Sequence, residues 1–219
     1  MSTHTIRVFK RFERIWHWGQ MAAIFTLLFT GFRIHGTYRL IDFGTAVTVH
    51  TWAAILLLLL WVFAIFWLFT TGQWRHYLPT AKNFVKVARF YAYGIFKGED
   101  HPYRKTYRRK HNPLQALTYL LVKTVIFPAI WISGIAYLLV SFGLLDLAGA
   151  NLGLEFIALV HTIAAVAIVL FIIAHIYLLT TGHSFVGHVK PMITGYDEVE
   201  LSDEELAYLR SNEPDVLKR

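Results

Sequence analysis

The chain has 219 residues, of which 56% are hydrophobic and only 16% are charged, and it contains no cysteine. This composition, with a mean hydropathy of +0.46, is too apolar for an ordinary soluble domain and excludes a self-contained soluble enzyme. The absence of cysteine excludes disulfides, thiolate-bound iron–sulfur clusters and thioether-attached haem. Histidine is then the main remaining soft metal ligand, and the chain has 11.

Four apolar stretches are each long enough to cross the hydrocarbon layer of a membrane, which takes about 20 residues. They predict transmembrane helices at about residues 15–35, 46–71, 114–142 and 155–181. Lys123 and Pro128 interrupt the third stretch, where we expect a kink rather than a helix end. The sequence therefore predicts an all-α integral membrane protein, in which residues 1–219 form a single membrane domain built as a four-transmembrane-helix bundle.

Lysine and arginine residues cluster on one side of the predicted spans. Four precede the first helix, ten lie between the second and third helices, and four follow the fourth, whereas the opposite side has only Arg33 and Arg39. Because basic residues near helix ends remain in the cytoplasm, both termini are expected on that side of a bacterial inner membrane. The basic residues lie beside spans, where they contact the lipid bilayer, so we expect no nucleic-acid partner.

Two segments lie outside the predicted spans. Residues 72–112 form a long cytoplasmic loop, in which residues 81–96 mix apolar and basic positions as an interfacial helix does. Residues 196–219 form an acidic cytoplasmic tail, with a short helix capped near Ser202. We expect this tail to be a solvated terminus rather than a docking element.

Four histidines lie within the predicted spans, where ionisable side chains are costly and usually functional. His17 and His175 lie near the cytoplasmic ends of the first and fourth helices. His50 and His161 lie near the external ends of the second and fourth helices. The fourth helix thus carries two histidines on nearly the same face, about four turns or roughly 21 Å apart.

Two imidazoles at each of two levels suit two bis-histidine haems, with His17 paired to His175 and His50 paired to His161 as axial ligands of the iron. Haem takes imidazoles from facing helices, and its macrocycle fills an apolar bundle core. For a histidine taken alone, hydrogen bonding between helices is the alternative. Zinc is a weaker fit, because a closed zinc site usually takes four ligands at one level.

Several motifs occur in a characteristic order. They are Arg14-Ile15-Trp16-His17-Trp18, His50, His111-Asn112-Pro113-Leu114-Gln115, the pair His161 and His175, and Met192-Ile193-Thr194-Gly195. In this order and spacing the chain resembles the dihaem cytochrome b subunits of respiratory nickel–iron hydrogenases, formate dehydrogenases and thiosulfate reductases, with a cytochrome b561-like four-helix fold. The resemblance covers most of the chain and places the haem ligands of that family at the same four histidines.

The resemblance implies a membrane anchor with two haem b cofactors, which transfers electrons between iron–sulfur and catalytic subunits on the periplasmic side and the quinone pool. The main catalytic chemistry would then lie in other chains. The family's quinone pocket maps onto Asn112 and Gln115, for which helix capping is the alternative. Arg14, one turn before His17, is placed to bind a haem propionate, and the positive-inside pattern explains it equally well.

Two other functions remain open. A stand-alone cytochrome b561-type quinone reductase would have the same histidine layout and would oxidise a diffusible donor such as superoxide. A passive membrane anchor would use the histidines only for hydrogen bonds between helices. The long basic loop and the extended tail favour a subunit that docks to a partner.

Overall fold

The structure is a computed structural model that describes residues 2–78, 80, 83–99, 102–103, 111–144, 151–180 and 185–218. Part of the predicted basic loop, the first two residues of the predicted interfacial helix and the last residue of the fourth predicted span lie outside these residues. The described residues divide into two compact units. The first contains those before residue 79 and after residue 185, and the second contains those between.

A pair of long helices forms the apolar part of the first unit. Helix α1, Arg11–Ile34, packs against α2, Phe43–Thr70. Asp42 caps α2, because its carboxylate accepts a hydrogen bond from the Thr45 backbone N–H at 3.0 Å, and this bond lowers the pKa of Asp42. The two helices approach closely at Gly19, where an added Cβ would lie 3.3 Å from Leu60 Cδ2. Small residues permit such close approach between membrane helices.

The second unit contains a long interrupted helix packed on a continuous one. Helix α3, Phe84–Ala92, lies within the segment predicted as an interfacial helix and packs against α4, Pro113–Leu121. A π turn, Val122–Ile126, joins α4 to α5, Phe127–Ser141. Helix α6, Asn151–Thr180, packs against α5.

The π turn explains how Pro128 fits inside a membrane-length helix. In a regular α-helix, proline lacks one hydrogen-bond donor and its ring presses on the carbonyl four residues earlier, which here is that of Thr124. Thr124 lies within the π turn, whose wider hydrogen-bond pattern accommodates the ring. The expectation that the helix continues past Pro128 rather than ending there is confirmed, and the kink stays a prediction.

Among the described residues, three helical segments are long and apolar enough to cross a membrane: Phe43–Thr70, Pro113–Ser141 and Gly153–Thr180. Many of their large apolar side chains are exposed, which suits contact with lipid. Helix α1 is long enough but is not among these three, and its first turns carry the charged residues Arg11, Glu13 and Arg14. The protein is thus a mostly helical membrane protein, and the first predicted span, at residues 15–35, stays a prediction.

The segments that flank the helices fold together in the first unit. Strand β1, Ser2–Arg7, pairs antiparallel with β2, Tyr196–Leu201, which follows α7, Phe185–Thr194. Helix α8, Asp203–Asn212, comes next. Ser202 and Glu205 form a capping box at its start, which confirms the predicted cap. We call β1, β2, α8 and the following residues up to 218 the terminal subdomain.

A small apolar core holds the terminal subdomain together. Its buried members are Ile6, Val199, Leu201, Leu209 and Val216. The expectation of a solvated tail is therefore wrong, and the all-α expectation omits a two-stranded sheet. The reason is that Val199 and Leu201 alternate with acidic residues in β2, so one face of this charged segment is apolar and packs inward.

Replacing Leu209 by alanine should loosen the terminal subdomain selectively. Leu209 is fully buried, and a leucine-to-alanine change in a core costs about 2–5 kcal/mol. We expect faster tryptic cleavage after the neighbouring Arg210 in detergent-solubilised protein, measured by mass spectrometry. Glu204→Ala, at an exposed position on the same helix, is the control. Equal cleavage rates in the two variants would contradict the assignment of Leu209 to this core.

Candidate functional site

Two motifs that carry the family resemblance contact each other in the first unit. Arg14 donates a hydrogen bond from Nη1 to the Ile193 carbonyl, and Trp18 donates from Nε1 to the Met192 carbonyl at 2.9 Å. Gly195 follows with φ +90°, and an added Cβ there would lie only 2.7 Å from a backbone carbonyl oxygen, so glycine is required. Arg14 thus links α1 to the end of α7, and its contact with a haem propionate stays a prediction.

A buried carboxylate lies one turn before His17. Glu13 is 2% exposed, and its Oε2 accepts a hydrogen bond from the Lys10 backbone N–H at 2.7 Å. Its Oε1 accepts one from the Tyr77 hydroxyl. Burial and the Glu13 carboxylate raise the pKa of Tyr77 well above its ordinary value, so the phenol keeps its proton and donates. The sequence analysis missed this pair, because 64 residues separate its members.

His50 contacts a hydroxyl and a glycine of α1. His17 and His50 each lie about two turns after the start of their helices, and both are half-buried. The Nδ1 atom of His50 lies 2.9 Å from Thr30 Oγ1, and this hydroxyl also lies 2.8 Å from the Thr26 carbonyl, to which it donates. An added Cβ at Gly31 would lie 3.5 Å from Cε1 of the same imidazole.

His161 has a matching environment in the second unit. Its Nδ1 lies 3.2 Å from Ser133 Oγ and 3.1 Å from the Ile130 carbonyl oxygen, both in α5. Ser133 Oγ donates to the Ala129 carbonyl at 2.6 Å. An added Cβ at Gly134 would lie 3.2 Å from His161 Cε1. A hydroxyl followed by a glycine therefore contacts the histidine of the next long helix in both units.

His175 lies among aromatic side chains near the end of α6. Its Nδ1 is 3.3 Å from the Tyr119 hydroxyl, and the Phe171 ring stacks on the imidazole at a centroid distance of 5.7 Å. The ring of His111 meets that of Tyr119 edge-on at 4.7 Å. Sequence reasoning singled out neither Tyr119 nor Phe171, although Phe171 precedes His175 by one turn on the same helix.

The two residues predicted to bind quinone form the start of α4. Asn112 is buried, its Oδ1 accepts a hydrogen bond from the Gln115 N–H at 2.8 Å, and its N–H donates to Gln115 Oε1 at 3.2 Å. Asn112 Nδ2 also donates to the Tyr91 hydroxyl of α3 at 3.1 Å. The capping alternative is therefore realised in the structure. A role in binding quinone stays a prediction.

The four candidate ligands are divided evenly between the units. His17 and His50 belong to the first, and His161 and His175 belong to the second, so each predicted pair takes one histidine from each unit. His161 and His175 do lie on one unbroken helix, as the predicted spacing of roughly 21 Å requires. Within the described part of the chain, no group of three or more histidine, aspartate or glutamate side chains could hold a metal ion.

These surroundings fit the requirements of a b-type haem ligand. A backbone carbonyl only accepts hydrogen bonds, so the contact of His161 with Ile130 places a hydrogen on Nδ1. The lone pair then lies on Nε2, which is the nitrogen that binds haem iron when Nδ1 donates to a neighbouring group. The residues present therefore suit axial ligation of iron.

Three half-buried imidazoles in long apolar helices thus lie within hydrogen-bond distance, through Nδ1, of side chains on neighbouring helices, which suits a membrane cytochrome of the b type. The family model described as prokaryotic cytochrome b561 matches residues 8–195, and the chain belongs to this family. The resemblance found in the sequence is thus confirmed. The protein is a membrane cytochrome b of a family that binds b-type haem and takes part in electron transfer.

A curated relative agrees with this family. The Escherichia coli (strain K12) protein named "Putative cytochrome YdhU" is 28% identical over 197 residues, which cover 87% of this chain and 74% of the relative. No solved structure shows significant similarity to the chain.

The two glycines beside the imidazoles should differ in their tolerance of alanine. At Gly134 the new methyl group would lie 3.2 Å from His161 Cε1 and force the ring to move, whereas the 3.5 Å separation at Gly31 is an ordinary contact. Overpacking of this kind costs about 1–3 kcal/mol. We expect Gly134→Ala to lower the haem content per polypeptide, measured by pyridine haemochrome, more than Gly31→Ala does. The reverse order would show that the rings are not held as described.

Proposed function

We propose that the protein is the dihaem cytochrome b subunit of a respiratory complex. It anchors an oxidoreductase on the periplasmic side of the membrane and transfers electrons between that partner and the quinone pool. The axial ligand pairs are His17 with His175 and His50 with His161. Bound haem b supplies a reversible one-electron carrier, and this chain supplies its ligands and surroundings.

One observation carries the proposal. Three of the four histidines, His50, His161 and His175, have Nδ1 within hydrogen-bond distance of a hydroxyl group on a neighbouring helix. A histidine that only linked two helices would need one hydrogen bond, and its other nitrogen would need no defined direction. An iron ligand needs the hydrogen bond at Nδ1 and also a defined direction of Nε2, because the partner of Nδ1 orients the ring and raises the basicity of Nε2.

The partner subunits follow from the family and from the composition. Membership in a hydrogenase-type cytochrome b family points to partner oxidoreductase subunits. The chain contains no cysteine, so iron–sulfur clusters of the complex must be bound by other chains. The proposal assigns those chains, together with the substrate-converting subunit, to the periplasmic face.

The quinone site is proposed at the start of α4. Asn112 and Gln115 place amide groups beside Tyr91, and His175 lies near Tyr119 of the same helix. Quinone carbonyl oxygens accept hydrogen bonds, and amide, phenol and imidazole N–H or O–H groups can donate them. In the proposal, the second hydrogen of Asn112 Nδ2 or the Gln115 amide donates to a quinone carbonyl while the capping box holds both side chains in place.

The histidine assignment predicts haem stoichiometry. We expect two haems b per polypeptide in the parent protein and one in each of His161→Ala and His175→Ala, measured by pyridine haemochrome on purified protein. Each variant removes a ligand of a different haem. The control is His35→Ala, an exposed histidine at the end of α1, which should retain both haems. A parent without haem, or ligand variants with the full complement, would overturn the proposal.

The same preparation tests the partner. Purification in mild detergent should bring an iron–sulfur protein with the tagged chain, identified by mass spectrometry. Two haems with quinone reactivity but no partner would replace the subunit hypothesis with that of a stand-alone quinone reductase.

The quinone assignment predicts the effect of Asn112→Ser. Serine still caps the helix but lacks the amide donor, so the fold and haem content should be retained. Loss of one hydrogen bond of about 0.5–1.5 kcal/mol should weaken the apparent affinity for a short-chain quinone roughly two- to tenfold. The measurement is the quinone concentration dependence of haem oxidation in stopped flow. Unchanged dependence in Asn112→Ser and in Gln115→Ala would place the quinone elsewhere.

A further inference from the structure

The hydroxyl groups beside His50 and His161 differ from other hydroxyl groups in the same helices. Thr26 and Ser141 bond to the carbonyl four residues earlier, as threonine and serine commonly do in apolar helices. Thr30 and Ser133 make the same bond and are in addition almost completely buried, at 1% and 5% exposure. Each of these two also lies within 3.2 Å of an imidazole Nδ1.

The direction of these contacts follows from proton counting. A hydroxyl group has one proton, and Thr30 donates it to the Thr26 carbonyl, as Ser133 does to the Ala129 carbonyl. Each hydroxyl oxygen can then only accept from the imidazole. His50 and His161 therefore both carry their hydrogen on Nδ1, and the helix backbone fixes the tautomer through the hydroxyl.

A glycine lies beside the same side of each ring. Gly31 directly follows Thr30 and Gly134 directly follows Ser133, and an added Cβ at either would come closest to Cε1 and next to Nδ1 of the adjacent imidazole. The absence of a side chain at these two positions leaves room for the imidazole beside the hydroxyl. The same hydroxyl–glycine sequence thus occurs on α1 beside His50 and on α5 beside His161.

We propose that Thr30 and Ser133 are positioning residues that set the ring orientation and the reduction potential of a single haem, the one ligated by His50 and His161. The inference rests on the proposed function, since it takes these two histidines as the ligands of one iron. A hydrogen bond from Nδ1–H makes the imidazole a stronger donor and favours ferric over ferrous iron. The two hydroxyl groups therefore lower the potential of that haem.

The two sites differ in one respect that a measurement can detect. His161 has a second acceptor in the Ile130 carbonyl at 3.1 Å, which no side-chain substitution removes. His50 Nδ1 lies 2.9 Å from Thr30 Oγ1. Loss of the Ser133 hydroxyl therefore leaves the Nδ1–H of His161 with a carbonyl acceptor, so Ser133→Ala should remove only part of the effect at that ring.

The experiment uses the purified full-length protein with its haems. Thr30→Val and Ser133→Ala are compared with two control variants, Thr26→Val and Ser141→Ala. Each control removes a hydroxyl group of the same helix that donates to a backbone carbonyl. Haem content is measured by pyridine haemochrome, midpoint potentials by spectroelectrochemical titration, and ligand geometry by electron paramagnetic resonance of the ferric state. Thr30→Ser serves as the rescue variant.

We expect both haems to be retained and one midpoint potential to become more positive in Thr30→Val. A tenfold loss of preference for ferric iron corresponds to about 59 mV for this one-electron couple. Ser133→Ala should shift the same haem in the same direction, Thr30→Ser should restore the parent value, and the two controls should leave both potentials unchanged. The ferric resonance of the shifted haem should change, and that of the other should not.

Three results would overturn the inference. Unchanged potentials and resonances with both haems present would show that the hydroxyl groups are structural. Equal shifts in the Thr26→Val and Ser141→Ala controls would remove their specificity. Shifts of different haems by Thr30→Val and Ser133→Ala would show that the two residues do not serve one site. A parent protein without haem is a different outcome, because it would contradict the proposed function itself.

Discussion

A histidine within an apolar helix must find its hydrogen-bond partner inside the protein, because the hydrocarbon of a membrane offers none. This chain supplies a partner from a neighbouring helix for three of these histidines, with Thr30 for His50, Ser133 for His161 and Tyr119 for His175. The same contact joins two helices and, in the proposed ligation, decides which ring nitrogen binds iron. Helix packing and ligand chemistry therefore depend on one type of bond.

That bond requires small residues beside it. Glycine in a helix costs about 0.5–1 kcal/mol relative to alanine, and Gly31 and Gly134 lie in the interior of α1 and α5. Both glycines lie next to an imidazole, and a side chain at Gly134 would press on the His161 ring. The space that glycine leaves for the ring offsets its lower helix stability. Close approach of helices is also what lets a short hydroxyl side chain reach across to the next helix.

The helices, helical faces and helix cap that were predicted from the sequence depend on local or periodic signals. Hydropathy located the long helices, helical spacing placed His161 and His175 on one face, and the cap at Ser202 followed from its short-range pattern. Contacts between distant residues were not predictable in this way. Nothing in the sequence distinguishes Thr30 from Thr26, because both can bond to their own helix, and only the packing of α2 selects Thr30. The pairing of β1 with β2 joins segments almost a whole chain apart.

The surroundings of His175 differ in kind from those of the other two histidines. The hydroxyl groups of Thr30 and Ser133 have donated their proton to a helix carbonyl and can only accept from the ring. A phenol can donate or accept, so the Tyr119 contact does not by itself fix the tautomer of His175. Asn112 connects the same helix to Tyr91 of α3. His50 and His161 thus face hydroxyl groups that accept from the ring, whereas the phenol beside His175 can exchange donor and acceptor roles.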